Sequence, residues 1–243
     1  VANKPRKPVV DPRAAERRRS LFMKIGTVVA VVVIAVVVFV AIVLTNKSST
    51  GDATAPSVAT GDAFRITAAP AGTTPAVTVT ILEDFQCPAC KQFEQLYGDA
   101  LAQLRTNPKV AVDYRPIAIL DRMSTTDYST RAANASACVA ESTKGANNFE
   151  VWLKFHNLLY LNQPTEGGAG LTDSQLTTYA NQAGAQNISD CVNDGQFKSW
   201  VADQTKSADV TATPTVRING KDVELSTPDA LLAAVNEAGG AQQ

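Results

Sequence analysis

Apolar and polar residues follow three different rhythms along this chain, and each predicts a different kind of element. Ile25 to Leu44 is uninterrupted: I-G-T-V-V-A-V-V-V-I-A-V-V-V-F-V-A-I-V-L is twenty residues without a charge. At about 1.5 Å per residue, a helix of that length crosses the ~30 Å hydrocarbon core of a bilayer. Residues 45–61 have no apolar period and are rich in Ser, Thr, Ala and Gly, which predicts a flexible linker. Short β-branched or alternating runs then predict strands: Phe64-Arg65-Ile66 at an edge, Val77 to Leu82 in the interior, and Val110 to Arg115. Between the last two, Phe93, Leu96 and Leu101 form one apolar stripe of a helix that runs to about Arg105 and stops at Asn107-Pro108. Strand, helix and strand in that order suit a right-handed parallel crossover.

A helical rhythm takes over across about 122–208. Ala132, Ala135 and Val139 share one face, as do Phe149, Trp152, Phe155 and Leu159, and Phe197, Trp200, Val201 and Gln204 occupy a further helix. Ser124 with Asp127, and Thr172 with Gln175, have the spacing of capping boxes. Strand character returns at Thr213 to Ile218, Asn219-Gly220 predicts a tight hairpin turn, and Val223-Glu224-Leu225 is the expected returning strand. Thr227 caps a last helix that has Pro228 in its first position and buries Leu231, Leu232 and Val235. The predicted architecture is an α/β domain over 62–243 with an inserted helical subdomain, preceded by a single transmembrane helix.

Charge orients that helix. Residues 1–24 hold eight basic and two acidic residues, a charge of +6, which leaves −7 for the rest of a 243-residue chain whose net charge is −1. A basic tail on the N-terminal side places residues 1–24 in the cytoplasm and everything after Leu44 outside the membrane. The apolar run exceeds the ~7–15 residues of a signal peptide, and Thr45-Asn46-Lys47 is no small-residue cleavage site, so an uncleaved signal-anchor is expected in the cell membrane. An acidic remainder points away from nucleic acid. The linker keeps the domain close enough to the membrane to meet an embedded partner at high effective concentration.

All four cysteines follow the anchor, an even set suited to an oxidising compartment. Cys87 and Cys90, separated by Pro88-Ala89, sit where a strand hands over to a helix. Unsatisfied backbone N–H groups and the positive end of the helix dipole favour a thiolate there. The competing readings are half of a zinc site, or a structural link. A zinc site needs a second closely spaced pair, and Cys138 and Cys191 lie far apart, so no metal is expected. Cys138 and Cys191 fall on two helical segments and read as a structural disulfide in preference to a second redox relay. His156, the only histidine, reads as a packed or groove-lining residue more than a catalytic one.

The stretch Glu83-Asp84-Phe85-Gln86-Cys87-Pro88-Ala89-Cys90-Lys91 resembles the active-site segment of DsbA-like proteins in the thioredoxin superfamily. Ala212-Thr213-Pro214-Thr215-Val216, followed by Ile218-Asn219-Gly220, resembles their cis-proline loop and hairpin. The likeness covers roughly 62–238, and with the anchor the whole resembles membrane-tethered DsbA-like proteins of actinobacteria, including mycobacteria. It implies a thioredoxin-like fold and a thiol:disulfide oxidoreductase without a cofactor. In that role Cys87 exchanges with substrate, Cys90 resolves, and Thr213 with a cis Pro214 faces the substrate. The implied substrates are exported proteins with reduced cysteines, and the implied reoxidant is a membrane quinone-linked protein of the DsbB or vitamin K epoxide reductase type. An isomerase or reductase on the same fold, and a non-enzymatic envelope binding module, are the alternatives. Three departures bear on strength and direction. Ile81 stands where many members carry a buried acid, Ala89 stands where better-known oxidases carry histidine, and no Trp precedes Cys87 as it does in the reductive branches.

Overall fold

The computed structural model describes residues 54–144 and 149–240. The expected cytoplasmic tail, anchor and first part of the linker lie outside the described residues. No helix among the described residues is long and apolar enough to cross a membrane.

The described residues form one mixed sheet with helices around it. β1 (Phe64–Thr67), β2 (Val77–Glu83), β3 (Val110–Pro116), β4 (Thr215–Ile218) and β5 (Lys221–Asp222) lie in the order β1-β3-β2-β4-β5. The β2–β3 pair is parallel and the other pairs are antiparallel. The parallel pair is bridged by α1 (Pro88–Thr106), the crossover that its sequence position demands. In β2 the residues Val77, Val79 and Ile81 point to one buried face, and Leu82 is buried on the other. A strand covered on both faces explains the nearly unbroken apolar run. At the edge, Arg65 opposes Asp113 across β1–β3 and makes two hydrogen bonds to its carboxylate, at 2.8 and 2.7 Å.

Among the described residues, a 3-10 turn (Asp121–Met123) and five α-helices separate β3 from β4: α2 (Tyr128–Ser142), α3 (Glu150–Leu161), α4 (Asp173–Ala183), α5 (Ser189–Asp194) and α6 (Lys198–Ser207). A last helix, α7 (Pro228–Gly240), closes the domain. Helix α2 is buried almost all round because its small side chains, among them Ala132, Ala135, Ala137 and Ala140, let α3 and α6 come close. Trp152 fills the space between sheet and insertion. Its ring lies 5.1 Å from Phe64 and 5.3 Å from Tyr114, and its indole N–H donates to Ser136 Oγ at 2.8 Å. Cys138 on α2 and Cys191 on α5 are joined by a disulfide across 53 residues of sequence.

Three expectations are corrected. Residues 54–61, expected as linker, pack against the domain instead. Pro56 is buried, Ala55 and Val58 lie on the core, and Ser57 donates from its backbone N and its hydroxyl to the Glu141 carboxylate at 2.6 and 3.0 Å. The returning strand is Lys221–Asp222 rather than Val223–Leu225. Both turn residues have positive φ, 51° at Asn219 and 79° at Gly220, so pairing resumes at the next residue. Ser124 is not the cap of a capping box: α2 starts after Asp127 at φ 52°, and Ser124 Oγ accepts from the N–H groups of Thr126 and Tyr128. The Thr172–Gln175 box, by contrast, is fully formed at the start of α4.

A disulfide closing so long a loop restrains the unfolded chain, and replacing both Cys138 and Cys191 by Ala should cost about 2–4 kcal/mol in urea unfolding. Thiol exchange at the other pair should be unchanged. Loss of exchange without loss of stability would make the pair a redox relay instead.

Candidate active site

The site is built by the segment that turns from β2 into α1. Cys87 N donates to Asp84 O at 2.9 Å, and Gln86 N donates to Asp84 Oδ1 at 2.9 Å, so the turn is closed locally. Cys87 is the N-cap of α1, in extended backbone with φ −73° and ψ 118°, and Pro88 follows in the first turn. Its sulfur therefore meets the free N–H groups of Ala89 and Cys90.

The two thiols are unequal. Cys87 is lowered to about 6, first by the hydrogen bond from the Cys90 thiol, against the opposing effect of burial, and further by Thr213 and the two backbone N–H groups. Cys90, one turn deeper, is pushed well above its usual range by burial first and then by the neighbouring Cys87 sulfur. Its one backbone donor is Asp84 N, 3.5 Å from Sγ. Both cysteines are free thiols, with Cys87 7% exposed and Cys90 1%. Cys87 opens into a cleft of about 500 Å³ bordered by Pro88, Gln92, Leu120, Glu166 and Thr213.

Thr213 and Pro214 come from the far end of the sequence to cover the pair, on the loop that leads into β4. Their peptide bond is cis. The Cys87 thiol donates to Thr213 O at 3.3 Å. The buried Thr213 hydroxyl has no hydrogen-bond partner of good geometry among the described residues, and it supports the thiolate when Cys87 ionises. Pro214 also borders a neighbouring groove floored by Phe93 and Tyr97, whose rings stack at 4.5 Å.

Behind the thiols lie Ile81 and His156, which the sequence singled out, and buried polar groups that it did not. Ile81 is buried and pairs with Val216 across β2–β4, so no acid occupies that position. The buried carboxyls are Glu83 and Asp84 instead. Burial raises Asp84 to about 7, although its carboxylate accepts from Gln86 N and from Leu120 N at 3.0 Å. Gln163, just past α3, donates from Nε2 to Phe85 O and to Cys87 O, each at 2.9 Å, and so grips the active-site turn from the helical insertion. Nothing in its sequence surroundings marks it. His156 is fully buried among Phe85, Tyr114, Trp152 and Tyr160, with Nε2 2.9 Å from Glu83 Oε1. Burial lowers it, but Glu83 and Glu94 outweigh that and raise it to about 9.

A thioredoxin-like sheet, a Cys-x-x-Cys pair at the first crossover helix and a cis-proline loop over the pair define a DsbA-like protein. A family model described as thioredoxin matches residues 71–237, and the chain belongs to that family. Reduced DsbA from Mycobacterium tuberculosis is 35% identical, with a TM-score of 0.64 over 75% of this chain and 100% of that one. A reduced disulfide bond oxidoreductase, DsbG, from the same organism is 38% identical, with a TM-score of 0.67 over 75% of this chain and 90% of that one. MdbA, a thiol-disulfide oxidoreductase from Corynebacterium diphtheriae, shares the fold at 22% identity, with a TM-score of 0.60 over 79% and 99% of the two chains. The serine/threonine-protein kinase PknE of Mycobacterium tuberculosis is 32% identical over 123 residues, 49% of this chain, which spans about a fifth of that relative's length.

Thiolate absorbance of the reduced protein at 240 nm should rise with a midpoint near pH 6. Cys87→Ser should remove that transition. Cys90→Ala should move it upward, because the Cys90 hydrogen bond is the largest cause of the shift. A midpoint near 8.5, the ordinary thiol value, would contradict the geometry.

Proposed function

We propose that the domain is a thiol–disulfide oxidoreductase whose redox pair is Cys87–Cys90 and whose main role is to donate disulfides to exported proteins. The observation that carries this reading is the inequality of the two thiols: an acidic sulfur at the mouth of a cleft, and a buried basic one behind it. In the oxidised state a substrate thiolate attacks Cys87 Sγ. The Cys87–Cys90 bond breaks, and Cys90 leaves with the electron pair and takes up a proton. A second substrate thiolate then attacks the substrate sulfur of the mixed disulfide and expels Cys87 as a stabilised thiolate. The substrate loses two electrons and the protein gains them. Thr213 and Pro214 hold the extended substrate strand beside Cys87 in this scheme, and Cys138–Cys191 holds the insertion together.

The pair must be reoxidised, which in this reading falls to a quinone-linked membrane protein of the DsbB or vitamin K epoxide reductase type. Residues 25–44 would anchor the chain with residues 1–24 in the cytoplasm and the domain outside, close to that partner. The apolar run and the basic tail support this placement.

One observation favours a second reading, an isomerase or reductase. Cys87 at about 6 is nearer the ~7 of thioredoxin than the ~3.5 of DsbA. A less stabilised thiolate leaves less readily, so the pair should be a milder oxidant. We expect a potential between roughly −270 and −120 mV in glutathione buffers. Thiol trapping in cells decides the direction: a mostly oxidised pair supports the donor role, and a mostly reduced pair the alternative. Cys90→Ser should accumulate mixed disulfides with exported proteins through Cys87. Failure to trap any, and retention of exchange activity in the Cys87→Ser, Cys90→Ser double variant, would overturn both readings.

A further inference from the structure

Three side chains that the exchange chemistry does not use converge behind the cysteine pair. Glu83 ends β2, Glu94 lies on α1 one turn past Cys90, and His156 comes from α3. One donor atom of each lies within 4.8 Å of the other two. His156 Nε2 and Glu83 Oε1 are 2.9 Å apart. Glu94 Oε1 is buried and has no hydrogen-bond partner among the described residues. A buried carboxyl oxygen without a donor is costly: burial raises Glu94 to about 7, and the nearby positive charges of His156 and Arg105 offset that only in part.

We propose that Glu83, Glu94 and His156 form a zinc site with three protein ligands, distinct from the Cys87–Cys90 pair. The donor set is one imidazole nitrogen and two carboxylates, which suits zinc with a fourth position left to water. Magnesium and calcium prefer oxygen throughout. Once binding has displaced the His156 proton, the two carboxylates carry the charge that one divalent cation cancels in an interior of low dielectric. At ordinary zinc–ligand lengths, tetrahedral neighbours are about 3.3 Å apart, so the Glu83–His156 contact opens by only a few tenths of an ångström.

The surroundings are those of a ligand set. His156 Nδ1 lies 3.2 Å from Asn157 Oδ1. Nδ1–H, donated to that oxygen, is kept when Nε2 releases to solvent the proton it shares with Glu83, and Nε2 becomes the metal-binding nitrogen. The Tyr160 hydroxyl donates to Glu83 Oε2 at 3.2 Å and leaves Oε1 turned to the cluster. A cleft of about 450 Å³, bordered by Glu94, Tyr114, Asn157 and Tyr160, brings solvent to the Glu94 side. Arg105 also borders this cleft, and its guanidinium is hydrogen-bonded to the Tyr114 hydroxyl at 2.5 Å.

The test uses the full chain in detergent with Cys87 and Cys90 oxidised to a disulfide, so that their sulfurs cannot take metal. Zinc chloride should bind once per chain by calorimetric titration and raise Tm, and a chelator should reverse both effects. Magnesium and calcium should do neither. Glu94→Gln, at the cleft wall, should keep the wild-type circular dichroism and weaken zinc binding at least about tenfold. Cobalt(II) should give visible d–d bands that disappear in His156→Gln; should that variant fail to fold, Glu94→Gln carries the same readout. Absence of zinc binding, equal binding by Glu94→Gln, or equal effects of calcium or magnesium would overturn the proposal.

Discussion

The interaction on which the site depends is the coupling of the Cys87 and Cys90 sulfurs at the start of α1, which lowers Cys87 and raises Cys90. It requires Cys87 to sit outside the helix as its cap and Cys90 to sit inside its first turn, and two intervening residues meet that requirement. Pro88 is compatible because the first helical position has no intrahelical partner for an N–H. That coupling makes one sulfur acidic while the proton stays on the other. The helix amides and Thr213 act in the same direction on Cys87, while burial acts against ionisation of both. The pair is therefore polarised by its place on the backbone before any charged side chain takes part.

That placement has to be held, and the helical insertion helps to hold it. Gln163 grips the carbonyls of Phe85 and Cys87, and the Gln86 side chain donates to Leu120 O on the segment leaving β3. Leu120 N in turn donates to the Asp84 carboxylate. The turn is thus fixed from two sides by groups far away in sequence. Such clamps act on backbone oxygens, so they restrain the turn without adding charge beside the sulfur. The insertion serves as a wall of the active-site turn as well as a cover for the sheet.

Much of this was legible in the sequence, and for identifiable reasons. Strands β1, β2 and β3 lie within a residue or two of their apolar runs because burial and β-branching point the same way there. Thr227 and Pro228 mark the start of α7 because capping and first-turn chemistry is local: Thr227 Oγ1 accepts from Ala230 N at 3.2 Å. What stayed hidden depends on tertiary proximity. Val223 and Leu225 look like a strand but lie on the core without forming one, since the paired strand ends at Asp222 and only one further bond, from Val223 N to Val216 O, follows it. Glu83 and Asp84 stand in the sequence between strand and helix with nothing beside them to mark burial, yet both are buried, because the insertion closes over them. No spacing rule connects Gln163 beyond α3 to the turn it grips, or Glu94 on α1 to His156 on α3.

Glu83 and Asp84 also show how one strand end can serve two environments. Neighbouring residues at the end of an extended strand point to opposite sides. Asp84 turns toward the active-site turn, where backbone N–H groups of Gln86 and Leu120 receive its carboxylate. Glu83 turns toward the insertion, where His156 and Tyr160 receive it. Each carboxyl has its own donors, so two adjacent acids can be buried without sharing one site. Glu94 differs, because its buried oxygen finds no donor among the described residues. The departure at Ile81 is consistent with this arrangement. An acid on the Ile81 face would lie in the apolar layer beside Val79 and Val216, whereas the end of β2 offers carboxyls the backbone and side-chain donors that burial requires.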